Sequence, residues 1–304
     1  MSAAILGDWG TSRMRLYLHD GRRVLDRVEG PGVAMLAGPP LEALKAAVRP
    51  LTEKSGARAL YLCGVAGSRN GVLEVAYAPC PARPAQWAEN FGRLAAGGLD
   101  IRVAPGLRCE NFLGAPDVMR GEETQIFGAL QAEPALARGR RVFVLPGTHS
   151  KWVLVEDAAV ARFHTFPTGE IYALLRERSF LLRAGRPGGA GDADAGFEAG
   201  LARAASGRDV LALLFETRSA QLLADRSRDW AAGFLSGLLI GRETAEAAAL
   251  LGEAAVAAVI GDRALSAYYQ RALAARGLDA EVMDGEACAI DGLILFGELA
   301  GKGA

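Results

Sequence analysis

One pattern, occurring twice, constrains the fold more than anything else in the chain. Near the amino terminus a short apolar run, residues 3–6, leads into Gly7-Asp8-Trp9-Gly10-Thr11-Ser12, and an alternating run follows at 14–18. At 141–145 a second apolar run leads into Pro146-Gly147-Thr148-His149-Ser150-Lys151, followed by residues 152–155. Each copy then turns back on itself. Asp20-Gly21 joins a return strand at 24–28, and Glu156-Asp157 joins one at 160–165. Gly10 to Arg15 thus aligns with Gly147 to Trp152. A pattern repeated only twice means a duplicated lobe rather than a solenoid; the competing reading is two unrelated β-meanders.

The rest of each half mixes helix and strand. Periodicity predicts helices at 41–51, 84–94 and 118–130 and strands at 59–63 and 101–103. After the second opening it predicts further helices, then strand 257–260, helix 264–275, strand 281–283 and a last helix at 285–299. The 304 residues suffice for about two domains. Apolar residues make up 51% of the chain, enough for two cores.

Charge and cysteine content exclude several classes. Lys plus Arg is 34 and Asp plus Glu 35, a net charge of −1 that argues against a general nucleic-acid binder. Cys63, Cys80, Cys109 and Cys288 form no C-x-x-C pair, so the expected setting is a reducing cytoplasm. The longest apolar run, 230–241, falls short of the ~18 residues of a membrane span. No signal peptide, zinc or iron spacing is expected, and no membrane partner.

Gly, Thr and Ser between two strands turn several N–H groups toward one point, and such clusters bind phosphate oxygens. The two turns, Gly10-Thr11-Ser12-Arg13 and Gly147-Thr148-His149-Ser150-Lys151, are therefore candidate polyphosphate sites; alternatively both are plain hairpins. Asp8, just before the first turn, suits a carboxylate holding Mg²⁺ beside a nucleotide, or an Asp capping its own turn. Lys151 is one of four lysines among 34 basic residues, and reads as a phosphate ligand or a solvated edge lysine.

The run Pro116 to Gln125 is read as opening a helix. Asp117 is either its N-cap or the general base that takes a proton from a substrate hydroxyl. Arg120, Glu122 and Glu123 cluster there and could grip a polar acid. Ser68 and Arg69 form a carboxylate or hydroxyl receptor, or an ordinary polar loop. Gly261, at a strand end, would let a base or ribose approach. Glu122 and Glu123 cannot flank one glycosidic bond, because adjacent helical residues diverge by about 100°.

These segments resemble the sugar kinase, Hsp70 and actin ATPase superfamily and, more closely, the 2-dehydro-3-deoxygalactonokinase family. The resemblance rests on Asp8 to Arg13, Gly67-Ser68-Arg69, Pro116 to Gln125, Leu145 to Trp152, Thr168-Gly169-Glu170 and Leu235 to Gly241. It implies an α/β fold of two duplicated ribonuclease H-like lobes, the actin-like ATPase fold, with an inter-lobe cleft. The lobes would be residues 1–138, with helix 286–304 packing back on them, and 139–285. It implies transfer of the ATP γ-phosphate to the 6-hydroxyl of 2-dehydro-3-deoxy-D-galactonate, in galactonate catabolism. Asp8 would orient Mg²⁺, the Thr11 and Thr148 turns would hold phosphates, and Asp117 would be the base. Gly261 would line the adenosine site, and Ser68, Arg69, Arg120, Glu122, Thr168 and Glu170 would contact the sugar acid. The alternatives are a kinase of a related 2-keto-3-deoxy acid and a sugar-acid-sensing ATPase switch. A homodimer is an open expectation.

Overall fold

The structure is a computed structural model and describes residues 3–252 and 255–302. The outermost ends of the expected lobes, residues 1–2 and 303–304, lie outside the described residues. The chain divides into two compact units. One comprises Met1–Arg141, Val153–Phe163 and Met283–Ala304, the other Val142–Trp152 and His164–Val282.

In chain order the first half contains β1 (Ala4–Trp9), β2 (Arg13–His19), β3 (Val24–Pro31), α1 (Pro40–Ser55), β4 (Ala59–Gly64), β5 (Ala78–Pro79), α2 (Pro84–Ala88), β6 (Gly92–Ala96), β7 (Leu99–Val103), β8 (Leu107–Glu110), β9 (Pro116–Met119) and α3 (Glu122–Ala132). The main sheet runs β3-β2-β1-β4-β7-β6. β2 is antiparallel to β1 and β3, whereas β4 is parallel to β1 and β7. Ile5, Leu16, Leu60 and Ile101 meet α1 side chains Leu44, Val48 and Leu51 in one core. Burial of each such side chain contributes on the order of 1.5–3 kcal/mol.

The second half contains β10 (Arg140–Leu145), β11 (Ser150–Glu156), β12 (Ala159–Phe166), α4 (Thr168–Arg178), α5 (Asp192–Ala204), α6 (Val210–Leu213), α7 (Glu216–Leu223), α8 (Arg228–Leu251), β13 (Val256–Gly261), α9 (Arg263–Ala274) and β14 (Glu281–Asp284). The last helix, α10 (Gly285–Lys302), packs on α3. The later sheet runs β12-β11-β10-β13-β14, with β10 parallel to β13. Each sheet therefore orders its strands third, second, first, fourth, next; β6 is an added antiparallel edge. The duplication read from the two Gly-Thr openings is thus present in the topology, and the fold is the two-lobed actin-like ATPase fold.

Glycine sets the helix packing in both units. A Cβ on Gly128 of α3 would lie 1.9 Å from the Cys288 carbonyl oxygen, and one on Gly292 of α10 would lie 1.9 Å from that of Thr124. Between α5 and α8 the arrangement is denser. Gly196 and Gly200 abut the carbonyls of Trp230 and Phe234, while Gly233 and Gly237 abut those of Ala193 and Phe197. Main chain meets main chain, which only a residue without Cβ permits.

Three local expectations need correction. The helix expected at 84–94 stops at Ala88, and β6 takes over. Gly97 and Gly98, both at positive φ, make the tight turn that returns β6 to β7. The helix expected at 118–130 starts only at Glu122, because Gly121 at φ +111° breaks the chain direction. Asp117 is therefore not its N-cap. It lies in β9 opposite Cys109, and its carboxylate accepts the Val118 amide at 2.8 Å. Finally, β1 runs on to Trp9, so Asp8 is a strand residue.

Candidate active site

In the first unit the site is built on the carboxyl ends of β1 and β4. The Gly10 amide donates to the Arg13 carbonyl at 2.8 Å, closing the turn and leaving Thr11, Ser12 and Arg13 exposed. Beneath it Asp8 is mostly buried, its side chain 15% exposed. Arg15 Nη2 donates to Asp8 Oδ2 at 2.7 Å, and the Cys63 thiol approaches Oδ1 at 3.8 Å. Burial pushes the Asp8 carboxyl upward, and the Arg15 charge pulls it back. Burial and the Asp8 charge hold the Cys63 thiol well above its ordinary range.

The loop before α3 comes to the same place. Gly64, at φ +75°, leaves room that a Cβ would take 2.5 Å from the Trp9 carbonyl oxygen. Gly121 packs on it: a Cβ there would lie 3.2 Å from Gly64 Cα. Glu123 is fully buried, and both its carboxylate oxygens accept the Gly121 amide, at 2.9 and 2.8 Å. Burial, with the adjacent Glu122 charge, pushes the Glu123 carboxyl up to about 8. The Glu122 carboxylate accepts the Arg120 amide at 3.0 Å.

Arg120 lies over the Tyr77 ring, its guanidinium carbon 4.2 Å from the centroid, and donates Nη2 to the Val75 carbonyl at 2.7 Å. Its Nε and Nη1 are buried without a hydrogen-bond partner. Gly67 makes the space, since a Cβ there would meet Nη1 at 2.6 Å. Arg120, Ser68, Arg69, Asn70 and Tyr77 line a cavity of ≈ 610 Å³. Ser68 Oγ donates to the Val65 carbonyl at 2.8 Å, fixing that loop, while the Arg69 side chain is 86% exposed. Thr11, Ser68 and Asn70 also line a neighbouring cavity of ≈ 430 Å³. The structure thus brings Asp8, Thr11, Ser68, Arg120 and Glu122 to one end of the sheet; Asp117, three residues before Arg120, is on β9.

The second turn divides differently from its expectation. Thr148 and His149 are exposed, and His149 Nε2 meets Glu170 Oε2 at 2.7 Å. The start of α4 packs directly on the turn: the Glu170 amide donates to the Thr148 carbonyl at 2.9 Å. A Cβ on Gly169 would lie 2.2 Å from the Gly147 carbonyl oxygen. Ser150 and Lys151, however, belong to β11 and are buried, so neither presents its side chain at the turn surface. Ser150 Oγ donates to Glu243 Oε1 at 2.7 Å, and Lys151 Nζ donates to Thr165 Oγ1 at 2.8 Å. Both residues alternate inward from opposite faces of the strand. The solvated-lysine reading of Lys151 is overturned as well.

A cavity of ≈ 330 Å³ opens beside this turn, lined by Gly147, Thr168, Tyr172, Ser236, Tyr268 and Tyr269 among others. Its walls come from α4, α5, α8 and α9. Gly261 is not among the lining residues; it packs on Pro146 and Ser266.

Among the described residues no group of three or more His, Cys, Asp or Glu could enclose a metal ion. Mg²⁺ of the kind carried by a nucleotide takes one or two carboxylates and fills its remaining sites with water and phosphate. Asp8, with its turn above it, offers that single carboxylate.

A family model described as 2-keto-3-deoxy-galactonokinase matches residues 8–296. The chain belongs to this family. The 2-dehydro-3-deoxygalactonokinase of Escherichia coli K12 is 34% identical to it over 282 residues, 92% of each chain. A Sinorhizobium meliloti crystal structure provisionally given the same name superposes with a TM-score of 0.80 at 32% identity, covering 97% of this chain and 98% of that one. Component A of the (R)-2-hydroxyglutaryl-CoA dehydratase of Acidaminococcus fermentans shares the fold alone, with a TM-score of 0.54 at 12% identity over 99% of this chain and all of that one.

Two site residues of this galactonokinase-family chain escaped sequence reasoning. Glu243 is 4% exposed and reaches under the second turn from α8. Its signal was an acid on the same helical stripe as Ser236 and Ile240, at i+7 and i+3. Tyr269, buried on α9, reads in sequence as an ordinary core aromatic.

Proposed function

We propose that the protein transfers the γ-phosphate of ATP to the 6-hydroxyl of 2-dehydro-3-deoxy-D-galactonate. The observation that carries this reading is that the chain matches, almost end to end, a relative named for that sugar acid.

The roles follow from the chemistry of each place. The exposed Thr148 turn and the adjacent ≈ 330 Å³ cavity are assigned to the nucleotide, with Tyr268 and Tyr172 as apolar walls for its base. The Thr11 turn offers amides and hydroxyls to phosphate oxygens, and Asp8 orients Mg²⁺. Bound there, Mg²⁺ would neutralise phosphate charge. The sugar acid is assigned to the cavity beside Arg120, whose Nε and Nη1 have no hydrogen-bond partner and whose guanidinium would receive its carboxylate. Ser68 and Arg69 line that cavity and supply further donors.

Glu122 is the better base than Asp117. What supports it is its place at the start of α3, beside Gly64 and Arg120, whereas Asp117 faces Cys109 on β9. Thr168 and Glu170 are reassigned to supporting the second turn.

The test is ADP release by the purified protein with ATP, Mg²⁺ and a panel of 2-keto-3-deoxy acids, with ³¹P spectra of the product. A 6-phosphate formed only from the galactonate-derived acid is expected. Phosphorylation of a different acid, or ATP turnover without any acid, overturns the reading.

A further inference from the structure

Glu243 makes contacts out of proportion to a core carboxylate. Its Oε1 accepts Ser150 Oγ at 2.7 Å and Trp152 Nε1 at 2.8 Å, its Oε2 accepts the Tyr269 hydroxyl at 2.8 Å, and the Thr168 hydroxyl donates to it as well. Four donors converge on one buried acceptor, and no Lys or Arg is among them. Indole N–H can only donate, so the Trp152 contact requires an acceptor in that position. Burial pushes the carboxyl upward and the donors oppose the rise.

The four donors come from three different elements. Ser150 and Trp152 begin β11, directly after the second turn; Thr168 is the first residue of α4; Tyr269 lies on α9. Thr168 and Tyr269 also line the ≈ 330 Å³ cavity, together with Gly147 of the turn itself. One carboxylate on α8 therefore ties the turn to two walls of the cavity beside it.

The first unit repeats the device by another route. There the acid is Asp8 on β1, and it is met by Arg15. In the aligned openings Arg15 and Trp152 occupy the same position. Each Gly-Thr turn thus rests on a buried carboxylate engaged by the residue five places after its glycine. The second lobe has Leu145 where the first has Asp8, and supplies the acid from a helix instead.

We propose that Glu243 is a positioning residue for nucleotide binding, holding the Gly147–His149 turn, Thr168 and Tyr269 in one arrangement that fits a nucleoside polyphosphate. This rests on the assignment of the nucleotide to the second unit. It predicts a loss specific to one substrate. Glu243→Gln keeps the shape but turns an NH₂ toward groups that donate, so at least one buried donor loses its acceptor. An unsatisfied buried donor typically costs about 1–3 kcal/mol, or roughly 5- to 150-fold in an equilibrium constant.

The experiment compares wild type, Glu243→Gln and Tyr269→Phe by steady-state kinetics in ATP and in sugar acid, and by calorimetric binding of ADP. Glu243→Gln is expected to raise both KM for ATP and Kd for ADP tenfold or more, with KM for the sugar acid within about twofold. Tyr269→Phe, which removes one of four donors, is expected to raise the ATP values about threefold. A folded Glu243→Gln with unchanged ATP and ADP values overturns the proposal and leaves the carboxylate structural. If Glu243→Gln does not fold, unchanged ADP affinity in Tyr269→Phe overturns it. Wild type that neither binds ADP nor consumes ATP would instead sink the assignment of function, and this inference with it.

Discussion

Asp8 and Arg15 are direct cross-strand partners, the guanidinium Nη2 donating to the carboxylate Oδ2 at 2.7 Å while Oδ1 faces the Cys63 thiol. One oxygen is thus engaged by a cation and the other by the thiol. Replacement by Asn keeps the shape and removes the charge. Asp8→Asn is expected to raise the half-saturating Mg²⁺ concentration tenfold or more and to lower kcat. Activity titrated against Mg²⁺ checks this, and a curve superimposable on wild type removes Asp8 from the site.

The base can be assigned by a pair of variants. Glu122→Gln should lower kcat by about 10²–10⁴, the usual cost of removing a general base, with both KM values near wild type. Asp117→Asn, out on β9, should retain activity within about threefold. The reverse ranking would return the role to Asp117.

Arg120 should separate the two substrates. Arg120→Met keeps the contact with Tyr77 but loses the donors assigned to the sugar-acid carboxylate. KM for the acid is expected to rise at least tenfold while KM for ATP stays within about twofold. Equal changes in both would show that Arg120 supports the loop and does not touch the acid.

Glu123 gives a pH signature in stability. Its folded value of about 8 lies above the ordinary 4.5, so the folded chain keeps a proton that the unfolded chain has released between those values. Stability is therefore expected to fall as pH rises through that window, by about 1.4 kcal/mol per unit for one proton, and to level off above it. Glu123→Gln should flatten that slope. Urea midpoints at several pH values from about 5 to 8 measure it; an identical slope in the variant assigns the proton elsewhere.

The α5–α8 contact should resist alanine. Alanine gains about 0.5–1 kcal/mol over glycine in a helix interior. A Cβ at Gly237, however, would sit 2.1 Å from the Phe197 carbonyl oxygen, far inside contact distance. Overpacking of this kind costs about 1–3 kcal/mol or more, so the steric term wins. Gly237→Ala is expected to lower the denaturation midpoint with an unchanged m-value. A midpoint at or above wild type would mean that the helices can part cheaply.

The duplicated opening made the fold legible, because strand alternation and turn glycines are local signals. Asp20-Gly21 is an example: the Asp20 carboxylate accepts the amides of Arg22 and Arg23, and Gly21 takes φ +95°. Tertiary decisions were not legible. Nothing local says that Pro116–Met119 pairs with β8 before the helix begins, and that one event moved Asp117 away from α3. The surroundings of Ser150 and Lys151 were not legible for a similar reason. Their residue types suit phosphate, but they point to opposite faces of β11 and both faces are covered, so both side chains are buried beneath the turn. Glu243 is far from the turn in sequence, and only the packing of α8 brings it there.

The thiol beside Asp8 has a consequence for chemical probing. Alkylating reagents and peroxide attack thiolates, and burial together with the neighbouring carboxylate keeps Cys63 protonated far above neutral pH. Burial acts likewise at the other three: Cys80 and Cys288 are pushed up to about 12, and Cys109 is raised. The four reduced cysteines, one of them against the candidate metal carboxylate, therefore offer electrophiles no ready thiolate. Folded protein should outlast iodoacetamide, and labelling of Cys63 should report unfolding rather than occupancy of the site.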